Sequence, residues 1–102
     1  AAIMTSYNQI NGSYTSNCAD LCTTVARQEW GFQGLIMTDW TTTDHGSVSW
    51  KCMKAGNDLI MPGSLADYQN IAKALEEGDL SKEELDICVC RVIRGILRLK
   101  NN

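Results

Sequence analysis

Short apolar runs alternate with stretches of helical periodicity along the chain, and this alternation restricts its possible folds more than any other feature. The runs lie at 1–6 (AAIMTS), 34–38 (GLIMT) and 58–61 (DLIM), each bounded by turn-forming residues, which marks strands rather than helix segments. The stretch 8–12 (NQING) reads as a turn-rich exit from the first strand. Asn17 then opens a helix with Asp20 in its first turn, and Leu21, Val25 and Ala26 form its apolar stripe as far as Trp30. A Gly-rich stretch, 31–34, closes that helix and leads into the second strand. A shorter helix is expected over 44–55, stopped by Gly56 and Asn57. Ser64, with Asp67 three residues on, caps a further helix whose core face is Tyr68, Ile71, Ala72 and Leu75, and Gly78 ends it. The longest helix begins at the capping box of Ser81 and Glu84, and Leu85, Cys88, Val89, Val92, Ile93, Ile96 and Leu97 are expected to face the core. The tail, 100–102, is expected to fray.

Strands alternating with helices imply a parallel sheet with right-handed crossovers, because each crossover helix must pack its apolar stripe back onto the sheet. The expectation is an α/β fold, a single domain over 1–102 with three parallel βα units plus an extra C-terminal helix. Three parallel strands leave two sheet edges open and cover little apolar surface, so the chain reads as part of a larger α/β architecture.

The second strand stops at Asp39, followed by Trp40. A buried strand has little use for a carboxylate in its interior, which puts Asp39 at the C-terminal end, where parallel folds place their ligand sites. All parallel strands end on one side of the sheet. Tyr7, Asp39 with Trp40, and the corner 61–63 should therefore converge on one pocket wall.

At 44% hydrophobic and 21% charged, the composition is that of an ordinary globular chain, and its apolar runs are too short to span a membrane. No signal-peptide pattern is visible. The net charge of −3, with basic residues gathered mostly on the last helix among acidic ones, argues against nucleic acid as a partner. The five cysteines, at 18, 22, 52, 88 and 90, are odd in number and sit mostly in helical patterns, which suggests buried thiols and a reducing, cytoplasmic location. That location argues against use of the sequon formed by Asn11, Gly12 and Ser13. A zinc site can be drawn from Cys18, Cys22, Cys88 and Cys90, but these pairs belong to distant helices and no metal is expected. His45 beside Asp44 suggests a dyad, yet adjacent residues at a helix start diverge, and both are expected at the helix N-terminus. Trp30 and Trp50 read as core or interface fillers. Glu76, Glu77, Asp79, Glu83 and Glu84 read as a solvated face. Asp58, in the last strand, reads as a structural hydrogen-bonding group. No Gly-rich loop opens a helix after a strand, so a phosphate-binding module is a poor fit.

Several segments together resemble one family. They are 4–12 (MTSYNQING), 29–34 (EWGFQG) running into 38–40 (TDW), then 55–59 (AGNDL) and 61–63 (MPG). In this order and spacing the chain is similar to the C-terminal portion of the (β/α)8 catalytic domain of family 3 glycoside hydrolases, the retaining β-glucosidase and β-xylosidase branch. The resemblance implies a partial (β/α)8 barrel within the family's N-terminal barrel domain. It also implies Asp39 as the catalytic nucleophile, Tyr7 lining the glycone subsite and holding that nucleophile, and Trp40 flanking the sugar. Trp40 in place of the aliphatic residue usual in the N-acetylglucosaminidase branch points to a β-linked glucoside or xyloside substrate. No cofactor is implied. The chemistry is consistent: a retaining enzyme needs an ionised carboxylate about 5–5.5 Å from a second carboxyl group, a phenol donating to Asp39 would favour its anion, and an indole offers an apolar face to a sugar.

The chain departs from the family in lacking segments that match its glycone-binding Arg, its Lys-His pair and its acid/base Glu. A full barrel takes on the order of 250 residues. The expectation is a nucleophile-bearing fragment, inactive alone. The alternative is a non-catalytic remnant that self-associates into a homo-oligomer through its exposed sheet edges.

Overall fold

The computed structural model describes residues 2–100, so Ala1 of the first expected strand and Asn101 and Asn102 of the tail lie outside the description. The chain is a mixed α/β fold. Its elements in order are β1 (Ala2–Met4), a hairpin of β2 (Gln9–Ile10) and β3 (Ser13–Tyr14), a 3-10 turn (Thr15–Asn17), a π-helix (Asp20–Glu29), β4 (Leu35–Met37), a second 3-10 turn (Thr42–His45), α1 (Ser49–Ala55), α2 (Leu65–Glu77) and α3 (Lys82–Lys100).

β1 and β4 pair in parallel, with Ala2 opposite Leu35, Ile3 opposite Ile36 and Met4 opposite Met37. The third expected strand is reduced to a parallel bridge between Met37 and Leu59. The ladder stops for a specific reason. Ile36 turns its carbonyl toward the Asp58 amide, which donates at 2.6 Å, but the Ile36 amide donates to the Asp58 carboxylate at 3.1 Å instead of to a strand carbonyl. Further on, the Met61 amide donates to the Thr38 hydroxyl, and Pro62 has no amide to offer. The stretch 8–12 is also more ordered than expected, because Asn11 (φ 51°) and Gly12 (φ 81°) form the tight turn of the β2–β3 hairpin.

The first helix differs in start and pitch. Asn17 does not cap it: its side chain accepts from the Val48 amide and donates to the Val48 carbonyl, tying the chain to the start of α1. The helix begins at Asp20 and closes with a bond from the Trp30 amide to the Val25 carbonyl, five residues back. Its inner side packs Cys22 and Ala26 against Ile36, with Ile3 and Phe32 alongside. The stretch 44–55 divides into the 3-10 turn and α1, so His45 and Asp44 lie in that turn rather than at a helix N-terminus. Gly56 ends α1 at φ 116°, and a Cβ there would come within 2.8 Å of the Thr23 hydroxyl oxygen. The remaining caps form as expected: Ser64 and Asp67 make a reciprocal capping box, Gly78 closes α2, and Ser81 pairs with Glu84 at the start of α3.

A second apolar cluster joins Met53, Ala74, Leu80 and Cys88, with Trp50, Ile60, Ile71, Leu75 and Leu85 packed around it. The α3 face is narrower than expected. Cys88 is buried and Leu85 and Val92 are half-buried, while Val89, Ile93, Ile96 and Leu97 are exposed. The helix meets the molecule along Leu85, Cys88, Val92 and Gly95, and at Gly95 it comes so close to Leu35 that a Cβ would stand 3.3 Å from that side chain. Tyr68 is exposed rather than on the core face of α2, and Trp30 is exposed, which removes the core half of its core-or-interface reading. The thiols divide as well: Cys22, Cys52 and Cys88 are buried, Cys18 is half-buried and Cys90 is exposed, all of them free.

Candidate active site

The site is built on the C-terminal end of β4. Thr38, fully buried, donates its amide to the Leu59 carbonyl and accepts from the Met61 amide through its hydroxyl, so the strand end is pinned to the segment beside it. Asp39 is the next residue. Its carboxylate Oδ1 accepts from the Trp40 amide at 2.8 Å, and its carbonyl accepts from the Thr42 hydroxyl at 2.9 Å. The chain then turns through Thr41 at φ 61°, a left-handed conformation rare for a β-branched residue. The Thr41 amide donates to the Met61 carbonyl and its hydroxyl to the Trp40 carbonyl.

Tyr7 arrives from β1. Its phenol donates to the Trp40 carbonyl, not to the Asp39 carboxylate, which corrects the expected direct contact. The hydroxyl reaches the backbone that follows the carboxylate, and so braces the turn rather than the acid. The ring of His45 stands edge-on to Tyr7, with centroids 5.7 Å apart and planes at 79°. Tyr7, Asp39, Trp40 and the Met61 corner therefore meet, as the strand polarity required. Trp40 is 58% exposed and Tyr7 44%, so the wall they form is open.

Behind this wall lies a polar interior. Thr5 donates to Asn57 Oδ1, and the fully buried Asn57 donates in turn to the carbonyls of Ser16 and Cys52. Asp58 is buried and bonded at 2.7 Å to Arg27, at 3.2 Å to Arg91 and at 3.1 Å to the Ile36 amide, which agrees with the structural role expected for it. Burial pulls the Arg27 guanidinium below its ordinary value, and the Asp58 charge acts in the opposite direction. Burial alone would raise the Asp67 carboxyl. Hydrogen bonds from Ser49, Thr43 and Ser64 outweigh it and hold the group below the usual carboxylate range. Among the described residues no group of three or more His, Cys, Asp or Glu side chains could hold a metal ion, so the drawn zinc site does not assemble. No described helix is long and apolar enough to cross a membrane.

The sequence reading missed His45 as a neighbour of Tyr7, and Thr41 as a strained pivot. Neither leaves a signal in one chain: the first contact spans separate segments, and a lone Thr in a Thr-rich loop shows no φ.

Comparison with known proteins supplies the lineage. The sequence profile described as Glycosyl hydrolase family 3 N terminal domain matches residues 1–95. A β-glucosidase of Rhizobium radiobacter is 39% identical over 93 residues, and an exo-α-(1→6)-L-arabinopyranosidase of Bifidobacterium breve is 38% identical over 99 residues. These alignments take in 90% and 97% of this chain but only 11% and 12% of those proteins. The structure of β-glucosidase 3B from Thermotoga neapolitana in complex with glucose superposes with a TM-score of 0.87 at 39% identity, covering 94% of this chain and 14% of that one. The chain thus spans about a tenth of the length of the curated relatives it matches. It belongs to glycoside hydrolase family 3 and lies within that family's N-terminal domain.

Proposed function

We propose that the chain is the nucleophile-bearing segment of a retaining, exo-acting β-glycosidase, a single domain over 1–102 that contributes βα units to a (β/α)8 barrel. Asp39 attacks the anomeric carbon, Trp40 lies along the sugar, and Tyr7 lines the glycone subsite. The observation that carries this reading is the clasp between the Tyr7 phenol and the Trp40 carbonyl. It ties the ends of two parallel strands together around one carboxylate and leaves an indole facing outward beside it. Among the described residues the carboxylate has no buried charge partner to neutralise, unlike Asp58, which is what a group kept for chemistry requires.

A β-linked glucoside or xyloside is the proposed substrate, on the strength of Trp40. The arabinopyranosidase at nearly the same identity as the β-glucosidase means that overall similarity does not choose the sugar. The second carboxyl group of a retaining pair would come from outside this chain, so the chain alone should be inert. The free thiols favour a reducing, cytoplasmic setting. A non-catalytic, self-associating remnant is the second reading, favoured by the exposed apolar side chains.

The test places residues 1–95 into the corresponding segment of a β-glucosidase of about 39% identity. The chimera should hydrolyse an aryl β-glucoside and Asp39→Ala should lower kcat by on the order of 10⁴-fold. A 2-fluoro glycoside, which accumulates the covalent intermediate, should label the peptide containing Asp39. A label on any other residue, or full activity in Asp39→Ala, sinks the assignment.

A further inference from the structure

The backbone at Tyr7 is fixed more firmly than its ring. Thr15 pins the chain on both sides: the Ser6 amide donates to the Thr15 hydroxyl at 3.0 Å, that hydroxyl donates to the Ser6 carbonyl at 2.7 Å, and the Thr15 amide donates to the Asn8 carbonyl at 3.0 Å. The side chain, by contrast, leaves the fold within a run of exposed residues, 6–8. A phenol so placed gives up rotamer freedom to reach the Trp40 carbonyl, and water competes for the same bond. Among the described residues, the one aromatic ring against Tyr7 is that of His45, at a separation and angle that suit a favourable edge-to-face contact.

His45 is itself held from both ends. The 3-10 turn that carries it starts at Thr42, which is buried and donates its hydroxyl to the Asp39 carbonyl. The turn ends at Gly46, whose φ of 108° favours glycine, and a Cβ there would stand 2.2 Å from the Tyr14 hydroxyl oxygen. Buried Ser47 follows, its hydroxyl 2.7 Å from that of Ser16. Tyr14, at the end of the β2–β3 hairpin, therefore lies across the backbone next to His45, and the His45 ring meets Tyr7.

We propose that His45 is a positioning residue, which holds the Tyr7 phenol on the Trp40 carbonyl and thereby fixes the turn that carries Asp39 and Trp40. The catalytic consequence rests on the glycosidase reading; the contact does not. The imidazole touches neither the sugar nor the reacting atoms. It acts through Tyr7, by withdrawing the rotamers in which the phenol has left the turn and the carboxylate has lost its set position.

Two measurements test this. The first uses the 102-residue chain, isotopically labelled at its tryptophan carbonyl carbons and observed by nuclear magnetic resonance. Tyr7→Phe removes the donor and should move the Trp40 carbonyl signal upfield. His45→Ala should move it the same way and at least half as far, with far-ultraviolet circular dichroism unchanged, because the side chain is exposed. His45→Phe, which keeps an aromatic edge for Tyr7, should leave the signal at its parental place. Gly46→Ala keeps the imidazole but forces Tyr14 and the turn apart, and should act as His45→Ala does. The second measurement is kinetic, in the β-glucosidase chimera. His45→Ala should lower kcat/KM about tenfold in the parent and less than about twofold in the Tyr7→Phe background, because a residue acting through the phenol has nothing to hold once it is gone. A Trp40 signal unmoved by His45→Ala overturns the proposal. An equal loss in both backgrounds overturns it too, since His45 would then act independently of Tyr7. A chimera that is inactive, or active without Asp39, defeats the glycosidase reading instead, and the carbonyl signal still decides whether His45 holds Tyr7.

Discussion

Asp58 and Asp39 follow one another across neighbouring chain segments and differ in what surrounds them. Asp58 has a side chain fully withdrawn from solvent, two guanidinium partners and a backbone donor. Asp39 is half-buried, and its carboxylate accepts from the amide of the next residue. Breaking a buried ion pair costs about 3–5 kcal/mol because the surviving charge has no solvent to return to. Asp58→Asn strands Arg27 and Arg91 in that way and should cost about that much. Asp39→Asn keeps an oxygen to accept from Trp40 and should stay within about 0.5 kcal/mol of the parent. Urea unfolding of both variants checks the contrast. Equal losses would make Asp39 a structural group and remove the ground for its catalytic role. The structural duty of Asp58 was legible in the sequence, but its partners were not, since Arg27 and Arg91 lie 31 and 33 residues away on separate helices.

What was legible at the level of elements was local chemistry. The serine caps of α2 and α3 and the glycine stops at 56 and 78 each depend on a few adjacent residues, and all formed. The convergence of Tyr7, Asp39, Trp40 and Met61 was legible too, because it follows from strand polarity alone. Features set by distant contacts were hidden. The β2–β3 strands are two residues each, too short for an alternating pattern, so the stretch with Asn11 and Gly12 read only as a turn and the hairpin was not expected. Cys22 and Ala26 fit an α-helix and a π-helix equally over so few turns, and the third strand was lost to a side chain that took a backbone donor. Thr41 is the sharpest case, being held left-handed by its bonds to Met61 and Trp40. That conformation costs roughly 1–2 kcal/mol for a residue with a Cβ and is least costly for Gly and Asn. Thr41→Asn relieves this strain and keeps a side-chain N–H donor for the Trp40 carbonyl in place of the hydroxyl, so it should stabilise the chain by about 0.5–1 kcal/mol. Thr41→Val keeps the strain and loses the hydroxyl bond, so it should destabilise by about 1 kcal/mol. Thermal unfolding midpoints moving in opposite directions would support this, and a shared direction would contradict it.

Across the whole molecule, the interior is unusual in what it holds. The described buried residues are mostly small or polar: Ile36 and Leu80 are the only large aliphatic side chains fully withdrawn, while Ile93, Ile96, Leu97 and Leu99 lie outside. Two apolar clusters form, and each contains a buried thiol, Cys22 in one and Cys88 in the other. Burial pushes both thiols up from an ordinary 9.0 to about 11, with Cys18 and Cys52 adding to the effect on Cys22 and Asp58 adding to that on Cys88. The sign follows from proton counting. Above pH 9 the unfolded chain releases these protons and the folded chain keeps them, so the unfolded state binds fewer and stability falls as pH rises. Below pH 9 both states hold the protons and the contribution is constant. Each thiol then removes up to about 1.4 kcal/mol per pH unit between the two values. By pH 10 the pair should have cost about 2–3 kcal/mol, a large share of the roughly 5–15 kcal/mol a small domain has. Urea midpoints at pH 8 and pH 10 measure the loss. Cys88→Ala lowers the baseline and should reduce the pH slope without abolishing it, because Cys22 and Cys52, whose thiol burial also pushes up, still keep their protons in the folded chain. A slope unchanged by that substitution would mean that the thiols open to solvent together with the rest of the chain, and that the two clusters do not hold their cysteines apart from water in the folded state.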